Sequence, residues 1–270
     1  MRLPIMAGQF YPAQKQKLKF LIKEELKSVK NNIPEPKILI LPHAGYSFCG
    51  EVMAAGFKQV QNKNINRVII IAPSHRAFNG ICFDENKTWA TPISRIKLEN
   101  KVIENIKNEI KDDQFLFESR YHNYEHSIEV LLPFLEVILD DFKIIPILIG
   151  KSDPDKNKKL VNVLKQYINK NTLVIISSDL SHYPNKKIAQ REDQKTIASI
   201  ISGDLEKFNK RLKQPKRFAT YACGSEAIKI ALRLKKALNL KEGHFIKYQN
   251  SGDVSGGNSK VVGYGAISFN

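Results

Sequence analysis

Ile38 to Gly50 reads ILILPHAGYSFCG. Four apolar residues, Ile38 to Leu41, stop at Pro42, and His43 follows at once. The run is too short for a helix and rich in branched side chains, so it reads as a buried strand. Pro42 ends it, because proline cannot continue the ladder. Ala44-Gly45 lets the backbone turn tightly, and Gly50 to Val60 reads as the following helix, which leaves His43 on the lip of a strand-to-helix turn. The arrangement recurs twice. Val68 to Ala72 (VIIIA) runs into Pro73-Ser74-His75, and Leu173 to Ile176 (LVII) runs into Ser177-Ser178-Asp179-Leu180-Ser181-His182. In a parallel α/β sheet, sites form at the carboxyl ends of strands. Three histidines at three such ends are the strongest functional signal in the chain.

Outward from these strands, helices and strands alternate. Lys15 to Lys30 has apolar residues at Leu18, Leu21, Ile22, Leu26 and Val29, a helical period with a lysine-rich outer face. Ile81 to Phe83 and Thr88 to Ala90 read as short strands paired in a hairpin, and Val102 to Ile110 as an amphipathic helix. His126 opens a helix over Ser127 to Leu139, with Pro133 as a kink. Lys143 to Ile149 is a strand whose Pro146 points to a sheet edge or a bulge. Ser152-Asp153-Pro154 begins a helix to Asn169, and further helices span Ile188 to Ile201, Leu205 to Leu212 and Ser225 to about Leu238. Phe245 to Gln249 and Val261 to Phe269 are closing strands around a glycine-rich stretch, Ser251 to Ser259, that reads as a mobile loop. The alternation predicts an α/β fold, a mainly parallel sheet with helices on both faces. Without linker, repeat or low-complexity tract, residues 1–270 are expected to form a single domain.

Composition narrows the function. No apolar stretch of about 18 residues exists, so no membrane span is expected, and Met1 to Tyr11 lacks the features of a secretory signal. Three cysteines, Cys49, Cys82 and Cys223, are too few and scattered for a disulfide framework and fit a reduced cytoplasm. The net charge of +16 invites a nucleic-acid reading. The lysines, however, are spread over several segments and rarely interleaved with aromatics, so a solvated basic surface, with no specific nucleic-acid groove, is expected. Such a surface also favours acidic small substrates. There is no GxSxG elbow, Walker loop or GxGxxG.

Imidazole suits zinc, copper, iron or nickel, and three protein ligands with open positions suit catalysis. His43 and His75 form the natural pair and need a third partner. Cys223 leads for that place: it precedes a helix start, where the dipole lowers a thiol toward the thiolate that binds metal. Its bland alternative is a small buried apolar residue. Asp179 and His182 share the third loop and suit an acid/base pair, the carboxylate orienting the imidazole, against the alternative of an Asx turn beside a surface histidine. His126 with Glu129 reads similarly, or Glu129 is a capping partner.

The order and wording of AGQFYP, PHAGYSFCG, APSH, EHSIEVLLPFL, SSDLSHY, ACG and NSGDVSGG…VVGYGAISF resemble the Memo (mediator of cell motility) family over nearly the whole chain. Its microbial members are called AmmeMemoRadiSam-system protein B. The resemblance implies the three-layer α/β/α fold of class III extradiol dioxygenases, which hold non-haem iron by two histidines and a carboxylate. It implies a metal pocket of His43, His75 and Cys223 for iron or copper, with Asp179 and His182 as the catalytic pair and Tyr46, Ser74 and His126 facing substrate. Cysteine in place of the carboxylate departs from the dioxygenases and weighs against ring cleavage. The partners implied are a small-molecule or peptide ligand and a radical-SAM protein. Two functions follow: a metal-dependent oxidoreductase, or a binding protein that keeps the pocket for peptide or metal.

Overall fold

Helix α1 (Lys15–Lys27) precedes strand β1 (Ile38–Leu41), whose bounds match the apolar run, and α2 (Tyr46–Lys58) begins four residues ahead of the expected helix. The chain continues through β2 (Arg67–Pro73), β3 (Ile81–Phe83), β4 (Thr88–Ala90), β5 (Arg95–Leu98), α3 (Asn100–Glu109), β6 (Phe115–Phe117) and α4 (Leu132–Ile138). It closes with β7 (Lys143–Ile149), α5 (Pro154–Leu164), β8 (Thr172–Ser177), α6 (Lys186–Ile201), α7 (Leu205–Lys213), α8 (Ser225–Ala237), β9 (Gly243–Asn250), α9 (Ser251–Ser255) and β10 (Gly263–Phe269). The structure, a computed structural model, describes residues 1–33, 35–214, 222–241 and 243–270. Among these, no helix is long and apolar enough to cross a membrane.

Among the described residues ten strands join one sheet, ordered β4-β5-β7-β2-β8-β1-β10-β9, with β3 attached beside β7 and β6 beside β3. The run β5-β7-β2-β8-β1 is parallel throughout. In β1 and β8 every residue is buried, and in β2 and β7 every residue but the first. Burial on both faces is why these strands read as continuous apolar runs rather than alternating ones. Each fully buried Ile or Leu there contributes about 1.5–3 kcal/mol. The connection through α2 moves two places along the sheet from β1 to β2, and that through α5 moves two places the opposite way, from β7 to β8. Right-handed crossovers therefore put the two helices on opposite faces. Helices α1 and α4 pack with α2, whereas α8 packs with α5 and α7, completing an α/β/α arrangement.

Several local expectations change. Pro146 lies inside β7, paired opposite Ile70 of β2, so β7 is an interior strand and not an edge. On its other side the partner switches from β5, at Lys143 and Ile144, to β3, at Ile147 to Ile149. The proline stands in that gap, where its missing N–H disturbs no ladder. Strands β3 and β4 do not form a hairpin: β3 pairs β6 and β7, and β4 pairs β5. Pro133 occupies the first turn of α4 and causes no kink, because Glu129–Leu131 ahead of it form a separate 3-10 turn. The stretch read as a mobile loop opens with α9, closed by a reciprocal capping box between Asn250 and Asp253 and ended by Gly256 at φ +75°.

Candidate metal centre

Parallel strands β1, β2 and β8 are in register, Leu41 beside Ser177 and Ile71 beside Ile176, so their carboxyl ends open on the same edge. The loops that follow carry His43, His75 and the Asp179 segment, and a fourth loop, before the Glu129–Leu131 turn, brings His126 to them. The ligand atoms of His43, His75 and His126 all lie within 4.8 Å of one another. The His75 and His126 rings stack at 4.6 Å, and His43 stands edge-on to both, at 5.2 and 5.6 Å.

Each ring is set by a neighbour. Ser177 Oγ contacts both His43 Nδ1, at 2.8 Å, and the Ser127 carbonyl oxygen, at 2.6 Å. A carbonyl can only accept, so the Ser177 hydrogen goes to Ser127 and His43 Nδ1–H donates to Ser177. The lone pair of His43 is therefore on Nε2. Burial, and then the charge of His75, push the His43 imidazole down to about 3, so it is neutral at physiological pH. Glu125, 1% exposed, accepts from the His75 backbone N–H at 2.6 Å and from its Nδ1 at 2.9 Å. That hydrogen bond raises the His75 ring above its ordinary value despite burial. Glu125 also accepts the backbone N–H groups of His126 and Ser127, and its carboxylate stands 3.2 Å from His126 Nδ1. Burial alone would raise the Glu125 carboxyl, but the donors from His75 and Ser127 bring it to about 2. His126 is lowered to about 4 by burial and by His43. The pattern, a carboxylate or hydroxyl gripping one ring nitrogen and freeing the other, is how metal-binding histidines are oriented.

Cys223 reaches this group at one corner, with Sγ 3.4 Å from His43 Nε2. The Asp179 N–H donates to the same sulfur at 3.3 Å, and the Cys223 N–H donates to the Asp179 carbonyl at 3.2 Å. The helix start was expected to lower this thiol. Instead burial, followed by the Asp179 carboxylate, pushes it up to about 12. Without a cation beside it, the sulfur keeps its proton.

The other expected site residues fall in different places. Asp179 Oδ1 accepts the His43 backbone N–H at 2.9 Å, and burial raises its carboxyl. Among the described residues no hydrogen bond joins Asp179 to His182, and the carboxylate instead braces the His43 turn. His182 pairs through its backbone with Val262. Tyr46, expected to face substrate, is buried in the core with its hydroxyl donating to the Val130 carbonyl at 2.7 Å. Ser74 donates its hydroxyl to the Arg76 carbonyl at 2.8 Å and lines a cavity beside the centre. Glu129 serves neither His126 nor a cap: it pairs Arg2 at 2.7 Å and accepts Tyr11 Oη at 2.5 Å. Of the residues ahead of Cys223, Thr220 and Tyr221 lie outside the described residues.

Glu125, Ser127 and Ser177 were not singled out in the sequence. For Glu125 the available signal was its adjacency to His126, and for Ser177 its place as the first polar residue after an apolar strand.

An α/β protein with a histidine cluster at the carboxyl ends of adjacent parallel strands is the class that this fold and site define. Within it the chain belongs to the Memo-like protein family, whose model matches residues 2–268. It is similar to a "MEMO1 family protein" of Nitrosopumilus maritimus, 32% identical with 99% of each chain covered. Another from Methanosarcina mazei is 34% identical, covering 99% of this chain and 98% of that one. Among solved structures, an uncharacterized protein from Escherichia coli K12 has the same fold at a TM-score of 0.56 and 11% identity, covering 86% of this chain and 98% of that one.

Proposed function

We propose that the protein is a non-haem metalloprotein that binds iron or copper on His43 and His75, with Cys223 as third ligand, and oxidises or reduces a small molecule. The observation that carries the reading is the pair of committed Nδ1 atoms: His43 donates to Ser177 and His75 to Glu125, which leaves the metal-binding lone pair of each ring on Nε2. A neutral-imidazole and sulfur donor set suits iron or copper better than magnesium or calcium, and a bound cation would remove the Cys223 proton that burial otherwise retains. His126 is a second choice for third ligand, supported by the mutual approach of the three histidines.

The metal, when present, supplies redox chemistry and Lewis acidity. This chain's own residues do the rest. Glu125 and Ser177 orient the rings, Asp179 fixes the turn that carries His43, and His182 gives or takes a proton from its place on the neighbouring loop. Three free cysteines support a reduced, cytoplasmic setting, and a radical-SAM protein is the proposed partner.

Elemental analysis of protein purified without oxygen, beside oxygen consumption with small reductants, tests the proposal. Near-stoichiometric iron or copper is expected, with oxygen use that His182→Ala abolishes while metal is retained. Loss of metal in His182→Ala would make His182 a ligand. Stoichiometric metal with no turnover of any reductant would favour a metal-handling or peptide-binding role.

A further inference from the structure

A cavity of about 480 Å³ opens beside the centre, sharing Ser74 and Cys223 with it. Its polar wall is cationic. Arg76 and Lys151 both line it, and Glu226 is its one acid among the described residues. Glu226 is already engaged, accepting from Lys229 Nζ at 2.6 Å and Asn157 Nδ2 at 3.0 Å. Neither Arg76 nor Lys151 has a carboxylate partner in the described structure.

The two cations are set differently. Arg76 is oriented by Tyr124: its Nε donates to the Tyr124 carbonyl at 3.3 Å and its guanidinium lies 5.2 Å from the Tyr124 ring centroid. Those contacts leave the Nη donors available, the geometry that grips a carboxylate through two parallel hydrogen bonds. Lys151 stands on a rigid piece of wall. Its N–H donates to the Phe78 carbonyl and its carbonyl accepts the Gly80 N–H, both at 2.8 Å. At the preceding position only glycine fits, since a Cβ on Gly150 would meet Phe78 O at 2.4 Å.

We infer that this cavity binds a small carboxylate, its anionic end on Arg76 and Lys151 and its other end directed past Ser74 and Cys223 toward the histidines. The inference rests on the metal-centre reading for what lies at that far end, but the anion-binding wall stands by itself. It names the substrate class of the proposed reaction: a small organic acid.

Calorimetric titration with benzoate and with its neutral isostere benzamide tests this, with metal content measured on the same samples. Benzoate should bind at least about tenfold more tightly than benzamide, a difference suited to charge-assisted hydrogen bonds. Arg76→Gln and Lys151→Gln should each erase most of that preference while leaving metal content unchanged. Both side chains are exposed, so the variants should fold. Equal affinity for the two probes, no binding of benzoate, or a preference that survives both substitutions would overturn the inference, whatever the metal content. A benzoate preference lost in both variants, found in wild-type protein that takes up no iron or copper, would keep the anion site and overturn the metal reading instead.

Discussion

Glu125 and Glu129 lie on one short segment, and both are buried, at 1% and 0% exposure. Their partners differ completely. Glu125 faces the strand ends and grips the His75 ring with the backbone of His75, His126 and Ser127. Glu129 faces the amino-terminal arm: it pairs Arg2, accepts the Tyr11 hydroxyl and takes the backbone N–H groups of Ile5 and Met6. Arg2 completes the tie by donating to the carbonyls of His122 and Glu125 and lying 4.2 Å from the Trp89 ring centroid. A buried carboxylate is stable only when its lone pairs are met by donors or cations. One of these acids meets that need with the clustered histidines and the backbone around them, the other with Arg2, Tyr11 and the backbone of Ile5 and Met6.

The comparison can be broken most forcefully at Glu129. Glu129→Ala leaves Arg2 buried without its counter-charge, and should cost about 3–5 kcal/mol of stability in urea unfolding while the folded fraction keeps its metal. A loss below about 1 kcal/mol would mean that the arm is not anchored as described. Glu125→Gln is the converse. It should weaken metal binding about 10–100-fold, the usual effect of removing a carboxylate behind a histidine ligand, with a smaller change in unfolding. Chelator competition measures the first quantity, and unchanged affinity would remove Glu125 from the site.

Asp193 sharpens the contrast as a third buried acid, whose hydrogen-bond donors among the described residues are all neutral: the Ser181 N–H, the Ser181 hydroxyl and the Tyr248 hydroxyl. Burial outweighs them and raises its carboxyl from 3.8 to about 6. The folded state thus binds the proton more tightly than the unfolded chain. Asp193 contributes stability that is fully present below about pH 4 and lost as the pH rises to about 6, on the order of 3 kcal/mol. Asp193→Asn should flatten that stretch of the stability-versus-pH curve, and an unaltered slope would contradict the assignment. The smallest expected effect is Tyr11→Phe, which removes one hydroxyl from Glu129 and should cost about 1 kcal/mol without touching metal affinity.

These contrasts also mark what a reader of the sequence could know. Ile38–Leu41 was legible residue for residue, because a short, branched, proline-stopped run has few other outcomes. The strand-end histidines followed from it, since position along a parallel strand is a local property. Partnership across the fold is not local. Glu125 finds His75 fifty positions away along the chain, and nothing in either neighbourhood announces the pair. Asp179, three residues before the loop histidine it was expected to orient, turned instead to the His43 backbone. Pro146 was read as a sheet edge or a bulge for the same reason: only the sheet order shows that its neighbour changes there from one strand to another. The thiol of Cys223 was judged by its helix alone, whereas burial and Asp179 decide it.

The most direct test of the central claim is metal per chain, measured on folded wild type and on His43→Ala, His75→Ala, Cys223→Ala and His126→Ala side by side. The account predicts about one iron or copper in wild type and a sharp loss in the first two variants, with Cys223→Ala and His126→Ala deciding which supplies the third ligand. Folded His43→Ala and His75→Ala proteins that keep the wild-type metal content would contradict it.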